Sequence, residues 1–272
     1  MHPILFNIPV PEFLQGFLPA TITIYSYGFF IAIGAISGIV YTARQAKQRF
    51  QVKFDDINIL FLLIIVAAFV GGKAFLFFES PSYYSDNPGK LFSGRGFVFY
   101  GSLTFVIPVM LIFFKKYKLP VYQMLDIMAI TACIVHMFGR IGCFMAGCCY
   151  GVPWKGPLSV MFNDPHCLAK PLHTHLHPTQ LYSASMIFVI FVILMVLKRY
   201  QKFDGQLFLT YLMLYAVGRS IVEIFRGDVT RGYIIEGLLS HAQFVSIFFI
   251  ASALYFYRKL SRKSKLLGKQ KR

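Results

Sequence analysis

The chain has 272 residues, of which 57% are hydrophobic and 14% are charged, and its mean hydropathy is +0.61. Soluble domains carry roughly a quarter charged residues, so this chain has too little polar surface to cover a water-facing exterior. The formal net charge is +16, but the basic residues fall in short clusters between apolar runs. That distribution is typical of membrane proteins and argues against a nucleic-acid-binding domain.

Apolar segments follow one another along most of the chain. Residues 1–20 contain Pro3, Pro9 and Pro11 and no basic segment leading into a short apolar core, so we expect no cleavable signal peptide. A helix needs about 20 mostly apolar residues to cross a bilayer. We predict seven such spans, at residues 21–41, 57–78, 97–114, 122–144, 180–197, 205–225 and 242–257. The predicted fold is all-α, a polytopic helical bundle, with one membrane domain over residues 1–257 and a basic tail over residues 258–272.

Lysine and arginine predict the orientation, because short cytoplasmic loops carry an excess of both residues. They cluster after the first, third, fifth and seventh predicted spans, within residues 44–53, 115–118, 198–202 and 258–272. These clusters lie on one side of an alternating topology, which places the N-terminus outside and the C-terminus in the cytoplasm. The longer connections, 79–96, 145–179 and 226–241, then lie outside, where we expect any chemistry at a membrane surface.

Burying an ionisable side chain inside a membrane span costs several kcal/mol of free energy unless the group is paired or exposed to water, so each such residue is a functional candidate. Five fall inside the predicted spans: Lys73, Asp126, Arg140, Arg219 and Glu223. The guanidinium group keeps its charge and suits phosphate bidentately, so Arg140 and Arg219 together favour a phospholipid headgroup. Asp126 is predicted to be a structural partner of a buried cation or of backbone groups. Lys73 either extends towards the interface or contacts headgroup phosphate.

Arg219, Glu223 and Arg226 lie four and seven residues apart, on one face of a predicted helix. Glu223 is therefore either a functional group or half of an ion pair that locks two helices together. Small residues mark places where helix backbones approach closely. The candidates are Gly28, Gly71, Gly72, Gly101, Gly139, Gly142, Gly147 and Gly151, of which the last two bracket a predicted turn.

Five cysteines are present, at Cys133, Cys143, Cys148, Cys149 and Cys167. In an oxidising compartment Cys167 could form a disulfide with Cys148 or Cys149. Cys148, Cys149 and Cys167, together with His166, His173, His175 and His177, could also compose a zinc site, but their spacing matches no compact metal pattern. We therefore assign no metal site and no cofactor.

Several short motifs occur in a fixed order. They are Tyr27–Gly28, Gly71–Lys73, Gly139–Gly142 with a closing Gly151, the H-P-T-Q-L-Y stretch from His177 to Tyr182, and the spaced residues Tyr215, Arg219, Glu223 and Arg226. Together they resemble the prolipoprotein diacylglyceryl transferase family over about residues 21–255. The chain departs from the family's pattern at several polar positions. Tyr100 stands where the family has a histidine, Cys143 and Ala146 replace asparagines, Cys148 replaces a glutamate, and Ser183 replaces an acidic residue.

The resemblance implies a seven-span enzyme of the bacterial inner membrane. Such an enzyme moves a diacylglyceryl group from phosphatidylglycerol to the lipobox cysteine of a prolipoprotein signal peptide and releases glycerol phosphate. The expected partners are these two substrates and the membrane lipids, and we expect no binding of nucleic acid. The catalytic residues are then Arg140, Arg219, Tyr100, His177 and Glu223. The substrate-binding residues are Arg140, Arg219, Tyr27, Gly142, Gly151, Tyr182, Tyr215 and Arg226.

Other interpretations stay open at this stage. His177 could cap the turn before Pro178, and Tyr27, Tyr100 and Tyr182 could belong to the aromatic belt at the membrane interface. The chain could be a diverged relative that lipidates another acceptor, or a lipid-binding protein without catalysis on the same scaffold. A transporter is a further alternative, although the charges cluster towards one face and no internal repeat is visible.

Overall fold

The computed structural model describes residues 2–15, 17, 19–79, 81–86, 89, 99–227, 233–235 and 239–270. In these ranges the helices are α1 Ser26–Phe50, α2 Phe54–Glu79, α3 Pro81–Asp86, α4 Phe99–Lys116, α5 Val121–Ala146, α6 Thr179–Arg199, α7 Gln206–Ile224 and α8 His241–Gln270. Short antiparallel pairs join β1 Ile4–Pro9 to β2 Thr21–Tyr25, β3 Val160–Met161 to β4 His175–Leu176, and β5 Tyr233–Ile235 to β6 Leu239–Ser240. The predicted all-α fold is confirmed.

Six of the described helices are long and apolar enough to cross a bilayer. They cover Ser26–Phe50, Phe54–Phe78, Val121–Ala146, Thr179–Arg199, Gln206–Ile224 and Gln243–Leu266. The third predicted span corresponds to α4, whose 18 residues extend over about 27 Å at 1.5 Å per residue. The chain is thus a multi-pass membrane protein. The number of seven spans, the orientation and the single-domain organisation stay predictions.

The first predicted span begins too early. Residues 21–25 form the strand β2, which pairs with β1 through Phe6 opposite Ile24 and Ile8 opposite Ile22. Alternating threonine and isoleucine favour an extended backbone because their branched side chains crowd a helix. Hydropathy alone does not distinguish this apolar strand from the helix that follows it at Ser26. At the other end of the chain, α8 continues to Gln270, so the predicted tail is helical well beyond residue 257.

The chain divides into two compact units, one over Ile39–Met124 and the other over Met1–Gly38 with Leu125–Arg272. In the first unit, α2 and α4 pack with their backbones in direct contact at Gly71 and Gly101. A Cβ atom on Gly101 would lie only 2.5 Å from the Gly71 carbonyl oxygen and 2.5 Å from the Cβ of Phe75. Glycine is therefore required at this crossing, as the sequence predicted. Lys73 follows closely and is buried, with its ammonium 6.0 Å from the centre of the Phe69 ring.

The same prediction is wrong for Gly28 and Gly139. A Cβ atom at either position would meet nothing within 4 Å among the described residues. Neither glycine is therefore explained by helix packing in this part of the chain.

In the second unit, the buried carboxylate of Asp126 fixes the start of α7. Its Oδ2 accepts hydrogen bonds from the Gly205 amide at 2.7 Å and the Gln201 side chain at 2.6 Å, and its Oδ1 accepts one from the Phe208 amide at 2.9 Å. The first amides of a helix have no partner within the helix, and Gly205 has no side chain with which to cap them. Asp126 therefore acts as a cap supplied by α5, which confirms its predicted structural role.

We expect Asp126→Ala to destabilise the protein by about 2–5 kcal/mol, because it leaves two buried backbone amides without an acceptor. The loss is measured as a lowered midpoint of thermal unfolding in detergent. Asp55→Ala is the control, since Asp55 is an exposed carboxylate in the first turn of α2 and should cost less than about 1 kcal/mol. Equal midpoints for the two variants would contradict the capping role.

Candidate functional site

Helix α5 ends in a turn that brings Cys148 back over its last residues. Gly147 has a φ of +75°, the Cys148 amide donates to the Cys143 carbonyl at 3.1 Å, and the Gly147 amide donates to the Phe144 carbonyl at 3.2 Å. This pair of bonds is the Schellman motif, in which a left-handed glycine terminates a helix. The predicted turn at Gly147 is confirmed. Cys149 is also left-handed, with a φ of 60°.

The start of α6 holds this turn in place. The Thr179 hydroxyl donates to the Cys149 carbonyl at 2.6 Å, and the Gln180 side-chain amide donates to the Cys148 carbonyl at 2.6 Å. Both side chains are buried. These bonds explain the threonine and glutamine of the H-P-T-Q-L-Y motif, which the sequence analysis noted without assigning them a role.

The two arginines predicted to bind phosphate lie close to one histidine. The Arg140 Nε donates to the His136 Nε2 at 3.2 Å, so the ring nitrogen is the acceptor and the imidazole is neutral. Both Arg140 and Arg219 interact electrostatically with this imidazole, whose centre is 5.4 Å from that of the Tyr215 ring. The structure thus brings three predicted residues together around His136. The sequence analysis missed His136, although it lies four residues before Arg140 on the same helix face.

Arg219 and Arg140 differ in their counter-charges. Arg219 forms an ion pair with Glu223, one turn further along α7, and each side chain is only 12% exposed. Because both residues belong to one helix, this pair does not lock two helices together, and that interpretation of Glu223 is wrong. Arg140 forms no ion pair with a carboxylate in the described part of the chain.

Tyr27 and Gly142 meet where α1 approaches α5. A Cβ atom on Gly142 would lie 3.2 Å from the Tyr27 carbonyl oxygen and 3.3 Å from its ring. Gly142 is therefore a close-packing residue, as the sequence predicted. Tyr27 therefore packs on α5 two residues after Arg140, the predicted phosphate-binding residue.

His177 lies in an aromatic cluster. Its Nδ1 is 3.0 Å from the Tyr182 hydroxyl, and its ring stacks on Trp154 with a centroid distance of 4.9 Å. The Phe225 ring lies 5.3 Å away. His177 and Tyr182 are thus brought together as predicted. Trp154 and Phe225 were missed, because nothing in their sequence spacing indicates that they meet.

Gly151 and Arg226 connect this cluster to the end of α7. The Gly151 amide donates to the His177 carbonyl at 2.9 Å, and a Cβ atom on Gly151 would lie 2.6 Å from the Cβ of His177. Gly151 also pairs with Arg226 in an isolated antiparallel bridge. Tyr100 lies in the first turn of α4, in the other compact unit, and its side chain is outside the described residues.

All five cysteines are free, so the predicted disulfide between Cys167 and Cys148 or Cys149 is not formed. Cys167 packs instead in a small apolar core of the loop, with Phe162, Ala169 and Leu176. The predicted zinc set does not assemble either. Its exposed histidines bond to neighbouring loop side chains, namely His166 to Asp164, His173 to Asn163 and His175 to Ser159.

A different set of thiols does assemble. The sulfur atoms of Cys143, Cys148 and Cys149 all lie within 4.8 Å of one another. Hydrogen bonds with the other two thiols lower the pKa of the Cys149 thiol, burial opposes this effect, and the charges of Arg226 and Arg140 lower that pKa further. The same thiol hydrogen bonds raise the pKa of Cys148.

We expect Thr179→Val, which keeps the side-chain shape but removes the hydroxyl, to loosen the turn after α5. The Cys149 carbonyl would lose its buried donor at a cost of about 1–3 kcal/mol. Faster amide hydrogen exchange over residues 147–152 and a lower unfolding midpoint are the readouts. Thr174→Val is the matched control in the same loop, since its hydroxyl makes only a local 3.3 Å bond. Unchanged exchange in Thr179→Val would show that the bond does not hold the turn.

Comparison with known proteins identifies the family. The family model described as prolipoprotein diacylglyceryl transferase matches residues 16–258. Phosphatidylglycerol–prolipoprotein diacylglyceryl transferase of Clostridium tetani is 36% identical over 236 residues, covering 86% of this chain and 92% of the relative. The second such enzyme of Clostridium perfringens is 30% identical, covering 86% and 90%, and that of Dehalococcoides mccartyi strain 195 is 27% identical, covering 88% and 90%. The chain belongs to the prolipoprotein diacylglyceryl transferase family.

Proposed function

We propose that this protein transfers the diacylglyceryl group of phosphatidylglycerol to the lipobox cysteine of prolipoproteins, at the outer leaflet of the bacterial inner membrane. The names of its relatives support the transferase activity and both substrates. The observation that carries the assignment to this site is the pair Arg140 and Arg219 beside one neutral imidazole. Such a pair inside a helical membrane protein is costly unless an anion completes it.

The net charge of the group favours an anion. Arg140, Arg219 and Glu223 carry two positive charges and one negative charge, and Arg226 adds a further positive charge that acts on Arg219. A phosphodiester headgroup, with one negative charge, would offset part of this excess. Arg140 is the direct ligand in this proposal because Glu223 already engages Arg219. Tyr27, Tyr215, Tyr182 and Arg226 would line the headgroup, and Gly142 and Gly151 would give it room.

The transfer is a substitution at carbon. The thiolate sulfur of the lipobox cysteine attacks the glyceryl carbon that carries the phosphate oxygen. A carbon–sulfur bond forms, the carbon–oxygen bond breaks, and glycerol phosphate leaves with the bonding electron pair. Negative charge therefore grows on the phosphate as the bond breaks, and arginines already fixed beside it stabilise that charge most strongly in a dry, low-dielectric site.

The attacking thiol must first lose its proton, because the thiolate is the nucleophile. We propose that Tyr100 acts as the general base in its phenolate form, since it occupies the position of the family's histidine and only the deprotonated oxygen can accept the thiol proton. The ring of His177 is stacked on Trp154 and its Nδ1 faces the Tyr182 hydroxyl. That environment suits a positioning residue better than a second base.

We expect Arg140→Ala and Arg219→Ala each to lower kcat/KM by at least about 100-fold, through loss of charge stabilisation at the leaving phosphate. Arg140→Lys should recover only part of the rate, because lysine keeps the charge but not the planar fork. The assay uses purified protein, phosphatidylglycerol vesicles and a lipobox peptide, with the thioether product measured by mass spectrometry. Arg199→Ala, at the opposite end of α6, is the control and should keep the wild-type rate. Full activity in both alanine variants would refute the phosphate role.

The same assay tests the other interpretations of the site. A protein that retains bound phosphatidylglycerol but never lipidates the peptide would support a lipid-binding role without catalysis. Lipidation of a different thiol acceptor, with none of the lipobox peptide, would support a diverged transferase.

A conservative substitution tests the base. We expect Tyr100→Phe to lower kcat by about 100-fold or more, because proton transfer loses its acceptor. Tyr100→His, which restores the family's residue, should recover much of that loss. Tyr122→Phe, an exposed tyrosine at the start of α5, serves as the control. Full activity of Tyr100→Phe would show that the phenolic oxygen is not the base.

A further inference from the structure

The signature stretch of this chain contains a cluster of three thiols. The sulfur atoms of Cys143, Cys148 and Cys149 lie within 4.8 Å of one another, and each side chain is half-buried. Three thiolates bound tetrahedrally at about 2.3 Å from a metal ion place their sulfur atoms about 3.8 Å apart. The sulfur atoms of the three cysteines therefore already lie close to the separations that a metal centre requires.

The backbone accounts for the cluster. The Schellman turn at Gly147 carries Cys148 back over Cys143, whose carbonyl it contacts through both its amide and its thiol. The left-handed φ of Cys149 then turns the chain once more, so that consecutive cysteines both reach Cys143. Hydrogen bonds from Thr179 and Gln180 fix the carbonyls of the two loop cysteines. The three sulfur atoms are thus presented by a preorganised loop rather than by a flexible one.

A disulfide fits the same cysteines poorly. Adjacent residues such as Cys148 and Cys149 bond to each other only with strain in the peptide between them. A disulfide between Cys143 and either of them would leave the third cysteine as a free thiol next to that disulfide. By contrast, all three sulfur atoms have equivalent roles in a metal centre.

We propose that Cys143, Cys148 and Cys149 form a three-thiolate site for a soft divalent metal ion of the zinc class, with a water or substrate atom as fourth ligand. The ion would join the end of α5 to the loop that precedes α6. This site does not depend on the transferase activity, and metal content and spectroscopy test it without any turnover.

The test uses the full-length protein in detergent, reduced and treated with a chelator. Titration with Zn²⁺ should load one ion per chain and raise the thermal unfolding midpoint. Cd²⁺ should bind in its place and add the ultraviolet absorption of cadmium–thiolate bonds. Each of the variants Cys143→Ser, Cys148→Ser and Cys149→Ser should weaken Zn²⁺ binding by about 100-fold or more, since even the groups that only orient ligands are worth 10–100-fold.

Matched controls come from the other two cysteines. Cys133→Ala and Cys167→Ala should leave both the Zn²⁺ affinity and the cadmium absorption unchanged. If a serine variant does not fold, wild-type protein still decides the question, because bound Cd²⁺ should protect the three cluster cysteines, and not Cys167, from alkylation mapped by mass spectrometry. Absence of the cadmium–thiolate band in reduced wild-type protein, or protection of a different set of cysteines, would overturn the proposal.

Discussion

The hydrogen bonds from Thr179 and Gln180 to the carbonyls of Cys149 and Cys148 join the end of α5 to the start of α6. The carbonyls of the loop after a helix need partners from elsewhere, and here the buried Thr179 and Gln180 supply them for Cys149 and Cys148. Gly151, two residues after Cys149, contacts His177 and pairs with the backbone at Arg226. The ends of α5, α6 and α7 are therefore fixed to one another. The arginines, the aromatic cluster and the thiols all depend on this junction for their positions.

Arg140 and Arg219 look alike in the sequence, but their electrostatic surroundings in the structure differ. Arg219 has a carboxylate one turn away on its own helix, whereas Arg140 bonds to a neutral imidazole and has no ion-pair partner among the described residues. A compensated cation can remain in an apolar environment without a ligand, but an uncompensated one strongly favours an anion. This asymmetry is the physical basis for assigning the headgroup phosphate chiefly to Arg140. In this arrangement Glu223 forms an ion pair with Arg219 and does not join two helices.

Two departures of this chain from its family's motif, Cys143 and Cys148, can be understood only from the three-dimensional structure. Cys143 and Cys148 replace two polar residues that are five positions apart, and sequence spacing alone does not connect them with Cys149. The left-handed residues Gly147 and Cys149 bring the three cysteines together. The sequence analysis considered Cys148 and Cys149 together with Cys167 and the loop histidines as a possible zinc set, and assigned no metal site. Cys167 instead enters the apolar core of that loop, where burial of a small hydrophobic side chain decides its position.

The sequence alone indicated the membrane class, the family and most of the long helices, although α1 and α8 extend well beyond their predicted spans. These properties follow from hydropathy over windows of about 20 residues and from motifs in fixed order. It misjudged the start of α1, because an apolar strand and an apolar helix have the same hydropathy. The folded chain is needed to see which charges are compensated, that His136 lies beside both arginines, that Asp126 caps a distant helix, and which three thiols meet. Those outcomes depend on distances between residues far apart in the chain, and no local pattern contains them.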